Sequence, residues 1–85
     1  MSKIYIKNET GSSVTVTYES EDNQRVSQTI GSNSLKQTEK KVKSFSRITI
    51  SAGEQNKSID YEPRDRNNQL RVTKNLAGVI ILQWI

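Results

Sequence analysis

Hydrophobic and polar positions alternate along most of this chain. Ile4 and Ile6 are separated by Tyr5 and flanked by Lys3 and Lys7. Val14, Val16 and Tyr18 alternate with Thr15 and Thr17, and the same beat recurs at Val26, Gln28 and Ile30, at Ile48 and Ile50, at Ile59 and Tyr61, and at Leu70 and Val72. A period of two is that of a strand with one face buried. Turn chemistry separates the runs: Asn8-Glu9-Thr10-Gly11-Ser12, Glu21-Asp22-Asn23, Gly31-Ser32-Asn33-Ser34, Ala52-Gly53, Pro63 and Asn75-Leu76-Ala77-Gly78. Residues of these types suit reversals of the chain. The first two strands read as a hairpin around Gly11.

Two segments break the pattern. Leu35, Thr38, Val42 and Phe45 fall at helical spacing, and Ser34 with Gln37 has the form of a capping box. The same stretch read as a strand puts Lys36, Thr38, Lys40 and Val42 on one face. One short helix near residues 35–44 and an edge strand are therefore both open. Residues 79–85, Val-Ile-Ile-Leu-Gln-Trp-Ile, do not alternate at all. A strand apolar on both faces is ordinarily central or covered on both sides. The cover available is segment 35–45 or a second copy of the chain.

The expected fold is all-β: a small antiparallel β-sandwich or Greek-key barrel of about seven strands, with an eighth if residues 35–45 form one. A length of 85 residues fits one β domain over residues 1–85. Composition agrees. Val and Ile number 15 against 6 for Leu and Ala, and side chains branched at Cβ pack better on a pleated surface than on a helix. Tyr18-Glu19 followed by Gln24-Arg25-Val26 is echoed by Tyr61-Glu62 followed by Gln69-Leu70-Arg71-Val72, which reads as two similar hairpins rather than a duplication.

The chemistry is limited by what is missing. With no His and no Cys, neither Ser-His nor Cys-His nucleophile systems nor the common zinc sites can be built. No phosphate-binding loop or dinucleotide fingerprint occurs among the 4 Gly residues. No cofactor or metal is expected, and the chain is not read as an enzyme. The one carboxylate group, Asp60, Glu62 and Asp65, is the basis of a distant alternative, a carboxylate-based enzyme or a calcium site around residues 60–65. Arg64 and Arg66 lie among those acids, so a solvated, salt-paired turn is the plainer reading.

Net charge is +4, and residues 35–47 carry five cations against one acid. Lys36, Lys40, Lys41, Lys43 and Arg47 form a basic segment suited to phosphates, an anionic polymer or a membrane surface. Lysines also protect sheet edges from aggregation. Lys3, Tyr5 and Lys7 share one strand face and form a second candidate binding set, with Trp84 as a separate aromatic candidate. Asn8-Glu9-Thr10 and Asn56-Lys57-Ser58 match the N-glycosylation pattern.

The longest apolar run is too short to span a bilayer, and no secretory leader is visible after Met1. The absence of Cys suits a reducing compartment, so the chain is read as cytoplasmic, with a mature secreted product as the alternative. The expected function is that of a non-catalytic binding or interaction module, self-association through the last strand being its most specific form. The alternative is a binder of nucleic acid or another polyanion through residues 36–47.

Overall fold

The computed structural model describes residues 3–63 and 68–85 and contains eight strands: β1 (Tyr5–Asn8), β2 (Val14–Glu19), β3 (Arg25–Ile30), β4 (Leu35–Gln37), β5 (Arg47–Ala52), β6 (Gln55–Asp60), β7 (Gln69–Lys74) and β8 (Ile80–Trp84). They form two four-stranded sheets, ordered β4-β1-β7-β8 and β3-β2-β5-β6. The alternating apolar positions meet between them. Ile4, Ile6, Val14, Val16, Tyr18, Ile30, Val42, Ile48, Ile50, Tyr61, Leu70, Val72 and Ile80 make one buried core, as expected when each sheet buries one face against the other.

Several expectations are corrected. The first two strands do not form a hairpin. β1 pairs with β4 and, in parallel, with β7, whereas β2 pairs with β3 and β5, so the chain changes sheet between them. The crossing is held by Asn8, which is fully buried. Its Nδ2 donates to the carbonyls of Ser12 (2.7 Å), Ile30 (3.1 Å) and Gly31 (3.0 Å). Its Oδ1 accepts from the Thr10 amide (3.0 Å) and hydroxyl (2.8 Å). A buried amide satisfied on both ends fixes its surroundings, and it is no acceptor for a glycan in the folded protein. The parallel β1–β7 pair also means that the sandwich is not wholly antiparallel.

No helix forms over residues 35–44. β4 uses the first three residues to extend the β1 sheet, and the following backbone finds partners in strands instead of along its own axis. Thr38 N donates to Ile4 O (2.8 Å), and Ile4 N donates to Thr38 Oγ1 (3.1 Å). Lys40 N donates to the Tyr18 hydroxyl (3.0 Å), and Val42 bridges to Ser20. Of the four residues at helical spacing, Thr38 and Val42 are buried while Leu35 and Phe45 are exposed. Tertiary pairing thus overrides a weak amphipathic period.

The apolar last strand is not central. β8 lies at the edge of its sheet, with β7 as its single neighbour. The apparent repeat has no structural counterpart either, since β2 and β3 are adjacent in one sheet while β6 and β7 lie in different sheets.

The flanks of the sandwich are closed by two glutamines. Gln28 of β3 donates from Nε2 to Gln37 O (3.3 Å) and accepts from Glu39 N at Oε1 (3.0 Å). Gln55 of β6 does the same to β8, donating to Gly78 O (2.6 Å) and accepting from Ile80 N (2.9 Å). Each primary amide presents the donor and acceptor of a peptide group, so each stands in for a missing strand rung between the two sheets.

Candidate binding surfaces

The outer face of the β4-β1-β7-β8 sheet carries Tyr5 and Lys7 in one strand. Tyr5 lies opposite Gln37 and Gln69, and Lys7 opposite Leu35 and Arg71. Just past β1, Glu9 gathers the nearby cations: Arg71 Nε is 2.5 Å and Lys7 Nζ 3.5 Å from its carboxylate. The hydrogen bond from Arg71, followed by the charges of Arg71 and Lys7, holds the Glu9 carboxyl below its ordinary pKa. A carboxyl lowered by folding stabilises the native state above its unfolded pKa, and that contribution disappears as pH falls through the folded value. Wild-type protein should therefore lose more stability than Glu9→Gln between about pH 7 and pH 3 in urea titrations. Equal losses in the two proteins would show that the cluster contributes nothing. Lys3 is exposed and adds no contact to this set.

The basic segment is divided among carboxylates. Lys40 pairs with Asp22 (3.3 Å), Lys43 with Glu19 (3.2 Å) and Arg47 with Asp60 (3.7 Å). The Ser20 hydroxyl donates to Asp22, and this bond, with Lys40, lowers the Asp22 pKa. Lys36 and Lys41 have no acidic partner among the described residues. Lys36 lies on β4, in the other sheet from the β5 strand that carries Arg47, so the five cations do not converge on one groove. Of the carboxylate trio, Asp60 faces Arg47 and Asp65 lies outside the described residues. No metal-holding cluster occurs among the described residues.

The outer face of the other sheet is covered by hydroxyls. Ser27, Thr17, Thr49 and Ser58 run across four strands in register, with Thr17 Oγ1 3.1 Å from Ser27 Oγ and Thr49 Oγ1 3.0 Å from Ser58 Oγ. At the end of this face lies an open depression lined by Thr17, Glu19, Arg25, Ser46, Arg47 and Thr49, enclosing about 400 Å3. Arg25 meets no carboxylate among the described residues. The rim turn, residues 43–46, places Phe45 at φ 60° and leaves it 78% exposed. A bulky side chain is rarely found in that left-handed region. The turn is fastened to the core by Phe45 N to Tyr61 O and Tyr61 N to Ser46 O, both 2.8 Å.

The third surface is β8. Ile80 is buried, and Leu82 and Trp84 pack on the core, Trp84 lying 5.8 Å from Tyr61 between ring centroids. The alternate residues face out: Val79 is 37%, Ile81 42% and Ile85 48% exposed. Segment 35–45 does not cover them, because β4 occupies the opposite edge of the sheet. Hydrogen bonds from Asn75 N to Val79 O and from Ile85 N to Gln69 O, both 3.0 Å, show that odd-numbered residues turn their peptide groups toward β7. Even-numbered residues turn theirs to the open edge, where Gln55 meets Ile80 N.

Alternation made the Tyr5 and Lys7 face and the dual character of β8 visible in the sequence. Arg25 and Phe45, at the depression and its rim, are not singled out by alternation. Arg25 was one charge in a polar strand, and Phe45 was assigned to an apolar face. A Phe between polar Ser residues in a basic stretch was the available signal.

These features define a small all-β sandwich without a helix among its described residues, and hence without one long and apolar enough to cross a membrane. No family model, curated protein or solved structure matches the chain.

Proposed function

We propose that the protein is a non-catalytic interaction module that self-associates through the open edge of β8. The observation that carries this reading is the absence of charge. The other edge strands each bear an ion: Arg25 in β3, Lys36 in β4, and Lys57 with Asp60 in β6. β8 reads Ile-Ile-Leu-Gln-Trp and bears none. Charged side chains on edges are the usual protection against strand addition, and β8 lacks it. Two copies of a chain of net charge +4 can meet there without apposing like charges at the contact.

The directions of the peptide groups select a register. Antiparallel pairing of two β8 strands must use Ile80, Leu82 and Trp84, whose groups face the edge. Centring the two-fold axis on Leu82 would also engage Ile80 and displace Gln55. Centring it on Gln83 pairs Leu82 with Trp84 of the second copy in both directions and leaves the Gln55 bonds intact. In that register Ile81 lies opposite Ile85 of the second copy on the outer face. Each added main-chain bond contributes about 0.5–1.5 kcal/mol net, against an association cost of about 4–15 kcal/mol. The dimer is accordingly weak, with a dissociation constant on the order of micromolar or above.

Sedimentation velocity over a wide concentration range tests this. Wild type should shift toward a dimer as concentration rises, Ile81→Lys should stay monomeric, and Leu35→Lys on the opposite edge should behave as wild type. A wild-type chain that remains monomeric up to about millimolar concentration, the weak end of specific association, rules the proposal out. Polyanion binding through residues 36–47 has less behind it, because Lys40, Lys43 and Arg47 each face a carboxylate.

A further inference from the structure

The geometry points to a second binding site, independent of β8: the depression beside the 43–46 turn receives the phosphate headgroup of an anionic phospholipid, with Phe45 inserted at the membrane surface. Phe45 carries the argument. Exposure of 78% makes it useless to the core, and φ 60° makes its backbone unfavourable for any residue with a Cβ. Nothing local requires an aromatic there. The turn closes through its neighbours, Ser46 N donating to Lys43 O (3.4 Å) and Ser46 Oγ to the same carbonyl (2.6 Å). Strained positions tend to occur at functional sites, and here the strained residue is an apolar side chain presented to solvent.

Its surroundings complement an anionic interface. Residues 40–47, Lys-Lys-Val-Lys-Ser-Phe-Ser-Arg, carry four cations and no acid; Lys40, Lys43 and Arg47 each face a carboxylate at the surface, and Lys41 has none among the described residues. Next to Phe45, Ser46 and Arg47 line the depression with Arg25, Thr17 and Thr49. The Arg25 guanidinium has no partner among the described residues, and the Arg47 contact with Asp60 is long at 3.7 Å. Glu19, the acid in the depression, is held by Lys43 at 3.2 Å. Two guanidiniums lining a depression of about 400 Å3 suit a tetrahedral oxyanion, since guanidinium groups bind phosphate oxygens in pairs. An apolar wedge beside cations is the usual arrangement of a residue that enters the headgroup layer, where both anionic charge and acyl carbon are within reach. An acidic protein would satisfy the cations and leave Phe45 unused.

Cosedimentation of the full chain with vesicles provides the test. Wild type should bind phosphatidylcholine vesicles containing about 30% phosphatidylserine, lose that binding as salt rises past about 0.5 M, and ignore pure phosphatidylcholine. Phe45→Gly is the decisive variant because glycine accepts the positive φ. It should melt no lower than wild type yet bind charged vesicles at least about tenfold more weakly. Arg25→Gln should weaken binding several-fold with the melting point unchanged. Three results overturn the inference: no wild-type binding to charged vesicles, equal binding by Phe45→Gly, or equal binding to neutral vesicles. A fourth is soluble glycerophosphate saturating wild type and Phe45→Gly alike while displacing neither from vesicles, which would make the depression a site for free phosphate.

Discussion

Asn8→Ala should cost the protein a large part of its stability. The side chain is fully buried and takes part in five hydrogen bonds that join β1, the 9–13 loop and the end of β3. Alanine removes both ends of the amide: the Thr10 amide and the Ile30 carbonyl lose its bonds in the buried crossing, while Ser12 O keeps the Thr10 hydroxyl and Gly31 O keeps Ser34 N. Each buried group deprived of its partner costs about 1–3 kcal/mol, and some of that is recovered where water reaches the loop. The expected loss is about 3–5 kcal/mol, against a total stability of about 4–13 kcal/mol for a domain this long. The melting temperature should fall by on the order of 20 °C. Asn8→Asp tests the geometry separately: the Thr10 contacts survive, but a carboxylate then faces carbonyl oxygens, so this variant should be no more stable than the alanine one. Thermal melts followed by circular dichroism decide the matter, and a shift of only a few degrees for Asn8→Ala would mean that the amide network is dispensable.

The second large effect is expected from removing residues 83–85. The truncation deletes Trp84 from its contact with Tyr61 and takes away the rungs that Gln83 and Ile85 make with Arg71 and Gln69. The Ile85 side chain contributes little, being 48% exposed. One partly buried aromatic and the end of an edge strand amount to about 2–4 kcal/mol, below the cost of two fully buried large side chains. The truncated chain should still fold at low temperature, with a lowered urea midpoint and no self-association. A midpoint unchanged from wild type would mean that the end of β8 does not hold the sandwich together.

What could be seen in the sequence follows from what alternation encodes. A period of two reports which side chains share a face, so Ile4 and Ile6, Val14 and Val16, Ile48 and Ile50, and Leu70 and Val72 were all placed inward correctly. It carries no record of which strand lies alongside which. That is why β1 and β2 were joined as a hairpin, and why the parallel neighbour of β1, more than 60 residues away along the chain, was invisible. The same limit applies to β8. Its two faces, Ile80, Leu82 and Trp84 against Val79, Ile81 and Ile85, are legible in the sequence, but which of them turns inward is not, and two apolar faces imply a central strand only when sheet order is known. Residues 35–44 leave helix and edge strand both open in the sequence for another reason: their backbone partners are Ile4, Tyr18, Glu19 and Glu21, which no local pattern can announce, and β4 takes the edge-strand form. Among candidate site residues, the sequence grouped Lys36, Lys40, Lys41, Lys43 and Arg47 by proximity along the chain, whereas the fold distributes them to Asp22, Glu19, Asp60 and solvent.

The glutamine seams have a consequence for how the molecule opens. Gln28 and Gln55 join the sheets through side chains, so a rotamer change in either one separates a flank without breaking any strand pairing. The two flanks can therefore breathe independently of each other and of global unfolding. Amide hydrogen exchange should show this directly. The Glu39 and Ile80 amides, whose acceptors are the glutamine side chains, should exchange through local openings that are insensitive to low denaturant. The Val16 and Ile50 amides, in the middle of the β3-β2-β5-β6 sheet, should exchange only when the whole domain unfolds.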